Sequence, residues 1–178
     1  MNGNVHTVET LIRGSSLPSP VIDNSLKIFG KIAAAEAGIR AVKLRIGIVI
    51  STNGGALPQM LPVFRMGLGG KIGSGRQYMS WIALEDLAAI IEHIIQNESL
   101  QGPVNAVSPD PVTNRTFAKT LGRTLSRPSF CMLPRFAARL AFGEMADALL
   151  LSGARVLPRA LQDSGYGFRF ALLEEALR

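Results

Sequence analysis

The chain has 178 residues, of which 47% are apolar and 18% charged, with a formal net charge of +6. That length suits one domain of ordinary size, and that balance supports a buried core and excludes a disordered polyelectrolyte. No apolar run reaches the ~20 residues that a membrane helix requires, no basic-then-apolar leader opens the sequence, and the lone cysteine, Cys131, excludes an internal disulfide and points to a reducing, cytoplasmic setting.

In chain order, residues 1–23 show no period and are broken by Gly14, Pro18 and Pro20. Asn24 is suited to cap a helix reaching residue 37, with Leu26, Phe29 and Ala33 on one side and Gly38 as its stop. Residues 41–50 are nearly continuous in apolarity, interrupted by Lys43 and Arg45, and read as a strand buried on both faces of a parallel sheet. A helix followed closely by such a strand is the grammar of an α/β unit.

Gly54 and Gly55 mark a turn, and residues 57–66 read as a short helix with Pro58 in its first turn. The glycines at 67, 69, 70, 73 and 75 predict a loop or tight hairpin. Residues 84–96 predict a helix, since Leu87, Ile90, Ile91, Ile94 and Ile95 recur at helical spacing and Glu85 and Asp86 suit its positive end. A short strand is expected at 103–107, then a helix capped by Thr113 and carrying Phe117, Leu121 and Leu125. Beyond Pro128 the strand signals fade. Helical pieces are expected at 135–142, 144–151 and 155–163, an extended piece around Phe168 and Phe170, and a terminal helix at 172–178.

The chemistry-bearing residues each admit a plain alternative. The Gly-rich run lacks both dinucleotide and phosphate-loop spacings, so a tolerant turn beside a pocket explains it better than a phosphate cradle. Arg76 suits an anion or a solvated surface, and Trp81 suits a stacked ring or the core. Asp86 reads as a helix-end charge rather than a catalytic acid. His93 lies among isoleucines, Cys131 has no activating neighbour, and no group of ligating residues has metal spacing. The basic residues are scattered singly without interleaved aromatics, which argues against a nucleic-acid partner.

These segments nonetheless form a recognisable series: LRIGIVIS at 44–51, GGALPQMLPVFRMGLGG at 54–70, GSGRQYMSWIALEDL at 73–87 and GPVNAVSPDPVTNRTFAKTLGRTLSRP at 102–128. They resemble an epimerase-type short-chain dehydrogenase/reductase. Residues 133–161 and 165–178 resemble the small C-terminal domain of unknown function (DUF1731) of its "epimerase family protein" branch. The resemblance covers about 26–178; residues 1–23 do not share it. It implies an α/β fold, the C-terminal half of a Rossmann-like doubly wound sheet over 24–127, followed by a small, mainly helical domain over 128–178.

It further implies that Arg45, Gly47, Ile48 and Val49 run past the nicotinamide of an NAD(P) cofactor. Gly54, Gly55, Met60, Arg76, Gln77 and Trp81 would line the substrate side. The family's Gly-rich fingerprint and its Tyr-x-x-x-Lys pair have no counterpart here: Tyr78 and Tyr166 are followed four residues on by Ile82 and Phe170. No catalytic residue is therefore assigned, NAD(P) is not expected to bind to this chain alone, and the chain is expected to be inactive without an N-terminal half. Met79 stands near the place of the diphosphate arginine of sugar-nucleotide epimerases and Ala83 in the place of their histidine, which speaks against such a substrate. The alternative is a non-catalytic module that binds a partner or itself through an open sheet edge.

Overall fold

The structure, a computed structural model, describes residues 40–133 and 153–178. The irregular segment expected at 1–23, the helix at 24–37 and the helical pieces at 135–142 and 144–151 lie outside the described residues. Val42–Arg178 forms one compact unit.

The apolar run at 41–50 forms two strands in line, β1 (Val42–Ile46) and β2 (Ile48–Ile50), broken only at Gly47. Gly55, at φ +82° and ψ −150°, turns the chain into α1 (Ala56–Arg65) through a backbone conformation open only to glycine. β3 (Gly70–Ile72), β4 (Tyr78–Met79) and β5 (Trp81–Ala83) follow, and β5 passes directly into α2 (Leu84–Gln96). Then come β6 (Gly102–Ala106), β7 (Val112–Thr113), α3 (Asn114–Thr124), β8 (Cys131–Leu133), α4 (Arg159–Asp163) and α5 (Leu173–Ala176).

The strand pairing is mostly parallel. β1 pairs with β6, Val42 opposite Gly102 and Ile46 opposite Ala106; β2 pairs with β5, Ile48 opposite Trp81 and Ile50 opposite Ala83. Two small ladders, parallel β3–β8 and antiparallel β4–β7, complete the pairing among the described residues. The change of partner occurs at Gly47. Its N–H still donates to the Ala106 carbonyl at 3.1 Å, whereas the next N–H, from Ile48, donates to the Ser80 carbonyl at 2.8 Å. The Trp81 carbonyl points to the other side of β5 and accepts from Ser108 N at 2.6 Å. β5 is thus wedged between β2 and the chain running on from β6.

Alternation along β2 and β5 divides the core into two layers. Ile48, Ile50 and Trp81 face Leu57, Met60 and Phe64 of α1 and Phe117 and Leu121 of α3. Val49 and Ile82 face Ile90 and Ile94 of α2, together with Val104 and Leu161. Helices on both faces of a parallel sheet are the α/β architecture expected from the sequence.

Several expectations are refined. The Gly-rich run contains β3, because Gly70 abuts the Cys131 carbonyl so closely that only a residue without Cβ lets the strands pair. β1 exposes Lys43, Arg45 and Ile46 rather than burying both faces, since no described element covers that side. The helix expected at 155–163 begins only at Arg159, after Pro158, because the preceding backbone is drawn out to meet Ser80 and Asn105. α2 and the Thr113 cap match expectation, with Thr116 N donating to Thr113 Oγ1 at 3.2 Å. Thr113→Ala should cost about 1 kcal/mol, measured by urea unfolding, and Thr113→Ser should recover most of it.

Candidate functional site: the carboxyl edge of β2 and β5

In open α/β sheets, ligands lie outside the carboxyl ends of the strands, where helix N-termini converge. Here β2 and β5 end in register at Ile50 and Ala83, and each feeds a helix at that edge. α1 starts after the exposed Gly54–Gly55 turn, with no side-chain cap and no acidic residue in its first turn. α2 starts from Ala83, with Glu85 and Asp86 in its first turn.

Arg45, Gly47, Ile48 and Val49 run toward this edge. Arg45 lies opposite Asn105 and is exposed, while Ile48 is buried and Val49 half-buried. The N–H groups of Gly47 and Ile48 are committed to the sheet. A Cβ on Gly47 would stand 2.5 Å from the Ser80 carbonyl oxygen and 2.9 Å from Val107 Cγ1. Glycine is required there by neighbouring protein, without reference to a ligand. Gly54 and Gly55 sit at the mouth of the edge.

Met60 and Trp81 lie beside Ile48, but inside the core. Met60 is 5% exposed and Trp81 fully buried, its indole N–H donating to the Asp110 carbonyl at 2.8 Å. Arg76 and Gln77 belong to a different locality. Arg76 is exposed, with its N–H on Ser74 Oγ at 3.3 Å. Gln77 donates through Nε2 to the Ile72 carbonyl at 3.0 Å, and its own carbonyl accepts from Asn114 N at 2.8 Å.

The turn carrying those two residues is tied inward. Gly75 N donates to Ile72 O and Arg115 N to Gly75 O. Asn114, 1% exposed, accepts Ile72 N through Oδ1 at 2.7 Å. With Gly75 and Arg76 N–H groups already engaged, the turn is a brace for β3 and α3 rather than a phosphate cradle. Among the described residues no cluster of His, Cys, Asp and Glu is arranged to hold a metal, and no helix is long and apolar enough to cross a membrane.

Asp86 has a role that the sequence reading missed. It is 1% exposed, and its two carboxylate oxygens accept Arg169 N and Phe170 N, each at 2.9 Å. The Tyr166 hydroxyl also donates to it at 3.3 Å. Burial, and secondarily the Asp86 charge, push the Tyr166 hydroxyl well above the usual phenol range. It remains a protonated donor, unsuited to give up a proton in catalysis near neutral pH. Ser80, Asn105 and Ser108 likewise bond to the backbone of residues 154–171. The available signal was the position of Asp86 next to Leu87 and four residues before Ile90, on the buried side of the helix, whereas the neighbouring Glu85 is exposed.

Comparison with known proteins places this geometry. The structure aligns with the crystal structure of the human epimerase family protein SDR39U1 with NADPH at a TM-score of 0.74 and 37% identity, covering 91% of this chain and 56% of that one. It aligns with the nucleoside-diphosphate sugar epimerase of Corynebacterium glutamicum at a TM-score of 0.62 and 31% identity, covering 84% of this chain and 28% of that one. The fold is the C-terminal half of a Rossmann-like epimerase sheet. Residues 133–178 match a family described as a domain of unknown function (DUF1731). An epimerase family protein of Mycobacterium bovis is 48% identical over 144 residues, or 81% of this chain and 48% of that protein. The chain matches the C-terminal portion of proteins named epimerase family proteins. It spans about half the length of the curated relatives it matches.

Proposed function

We propose that the chain is the substrate-facing half of an NAD(P)-dependent epimerase or oxidoreductase acting on a small molecule, and that it neither binds the cofactor tightly nor turns over substrate alone. The observation that carries this reading is the shared carboxyl edge of β2 and β5, open at Gly54–Gly55 and fed by two helix N-termini. The human relative crystallised with NADPH supports the choice of cofactor. The residues described at this edge form one wall for the nicotinamide side and do not by themselves fit a whole dinucleotide, since the N–H groups of Gly47 and Ile48 are committed to the sheet. When bound, NAD(P) would supply the hydride chemistry. On this reading the chain's own part is to present Val49, Gly54 and Gly55 to the reacting end, with the exposed Arg76 available to an anionic group of the substrate.

A cytoplasmic setting belongs to the same reading and rests on the single cysteine. Titration calorimetry with NADPH tests the proposal. The expected result is no saturable binding to the 178-residue chain up to about 1 mM, and saturable binding once the N-terminal portion of the Mycobacterium bovis relative is added. Micromolar binding to the chain alone, or none to the mixture, overturns it. A second reading, a module that associates with itself or with a partner, is favoured by Ile46, 53% exposed on β1, a strand paired among the described residues only with β6. Light scattering decides: a monomer at all concentrations removes it.

A further inference from the structure

Four polar side chains, Ser80, Asn105 and Ser108 along the sheet and Asp86 in α2, share a feature that no assigned role covers. Each bonds to main-chain atoms of residues 153–178. Ser80 Oγ donates to the Ala154 carbonyl at 2.8 Å and accepts Val156 N at 3.0 Å. Asn105 Nδ2 donates to the Leu157 carbonyl at 3.2 Å, and Ser108 Oγ to the Ala171 carbonyl at 3.0 Å. Asp86 takes the consecutive N–H groups of Arg169 and Phe170. The segment makes no strand pairing with the sheet among the described residues, and its helices, of five and four residues, are too short to persist alone. Its apolar anchors fall in two separate groups: Leu161, at 0% exposure, with Ala160, Tyr166 and Phe168 beside it in one core layer, and Leu173, at 3%, with Ala176 and Leu177 in the other.

We infer that residues 153–178 are a strap which the sheet recognises by its backbone, that the strap opens and closes as a unit separate from the sheet, and that Asp86 is its latch. This gives a role to the described part of the domain of unknown function. A segment fastened at discrete points, without ladder bonds, sits at the low-stability end of a fold. The latch is strong because a buried carboxylate stripped of its donors is severely penalised until water reaches it. The strap is also wired to the candidate site. Ser80 holds the strap through its hydroxyl and β2 through its carbonyl, which accepts Ile48 N–H at 2.8 Å. Opening the strap therefore loosens the edge of β2 and β5. Only that last link takes its meaning from the proposed cofactor site.

Hydrogen–deuterium exchange on the full chain, without cofactor, tests the inference. In Asp86→Asn one accepting oxygen becomes an NH2 group, so only one of the two N–H groups keeps an acceptor. Exchange at 166–171 should accelerate about tenfold or more, with a smaller rise at Ile48 and none at 42–46 or 102–106. Arg169→Ala keeps its backbone N–H and should leave these rates unchanged. No acceleration at 166–171, an equal acceleration in β1 and β6, or an Arg169→Ala effect as large as that of Asp86→Asn overturns the inference. Should Asp86→Asn fail to fold, Asn105→Ala and Ser108→Ala decide. Acceleration confined to 153–178 upholds the strap, and either uniform acceleration or none removes it. Because no NADPH is present, failure here is distinct from failure of the cofactor reading.

Discussion

Replacing Trp81 by alanine should destabilise the chain by about 3–5 kcal/mol and lower its thermal midpoint by roughly 10 °C. The ring is fully buried at the contact of β2, α1 and α3, among Ile48, Met60 and Phe117. Truncation leaves a cavity that these neighbours, themselves packed against helices and sheet, can fill only in part. Trp81→Phe should cost far less, about 1–2 kcal/mol. It retains most of the apolar volume, and the lost indole N–H frees the carbonyl of Asp110, an exposed residue that water can satisfy. Thermal unfolding followed by far-ultraviolet circular dichroism measures both. A midpoint for Trp81→Ala within about 1 °C of wild type would place the ring outside the core and return it to the role of pocket wall.

Gly47→Ala should cost about 1–3 kcal/mol, and the damage should be local. The added methyl would press on the Ser80 carbonyl oxygen at 2.5 Å and on Val107 Cγ1 at 2.9 Å. Neither neighbour yields easily: the carbonyl is bonded to Ile48 N–H, and Val107 is 2% exposed. Relief requires β5 to move away from β2. Gly54→Ala is the control, because nothing lies within 4 Å of the place its methyl would take and its φ is not positive. It should change stability by no more than about 0.5 kcal/mol. Urea unfolding gives both values, and amide chemical shifts should change most at 48–50 and 80–83 in Gly47→Ala. Equal costs for the two variants would mean that the close approach at Gly47 is not a constraint.

What was legible in the sequence follows from how local each signal is. α2 was readable because Ile90 and Ile94 recur on one face within a single helix, and α3 because Thr113 caps it from the adjacent position. The apolar run at 41–50 announced a parallel strand, and the Gly54–Gly55 turn announced the start of α1. β8 escaped notice because Cys131–Leu133 is short and its partner β3 lies far back in the chain, within a run whose glycines suggested a loop. The buried Asn114 was hidden for a similar reason: its acceptor is spent on Ile72, 42 residues away.

The stretch of chain read as site-bearing runs to the carboxyl edge of β2 and β5, while its internal division was not legible. Nothing local distinguishes Trp81 or Met60, which face the core, from Gly54 and Gly55, which face out. Asp86 shows most clearly where local reasoning stops. A carboxylate in the first turn of a helix has an adequate explanation in the helix dipole. Its actual partners are main-chain groups more than 80 residues further on, and main-chain groups leave no trace in the order of side chains.

The placement of Leu161 and Leu173 bears on how the chain folds. Leu161 belongs to the layer over α2 and Leu173 to the layer over α3, and each joins partners that lie far earlier in the sequence. Both layers therefore depend on contacts that close long loops, whose entropy is lost before the burial can offset it. Folding of this unit should be paced by those two distant closures rather than by its helices.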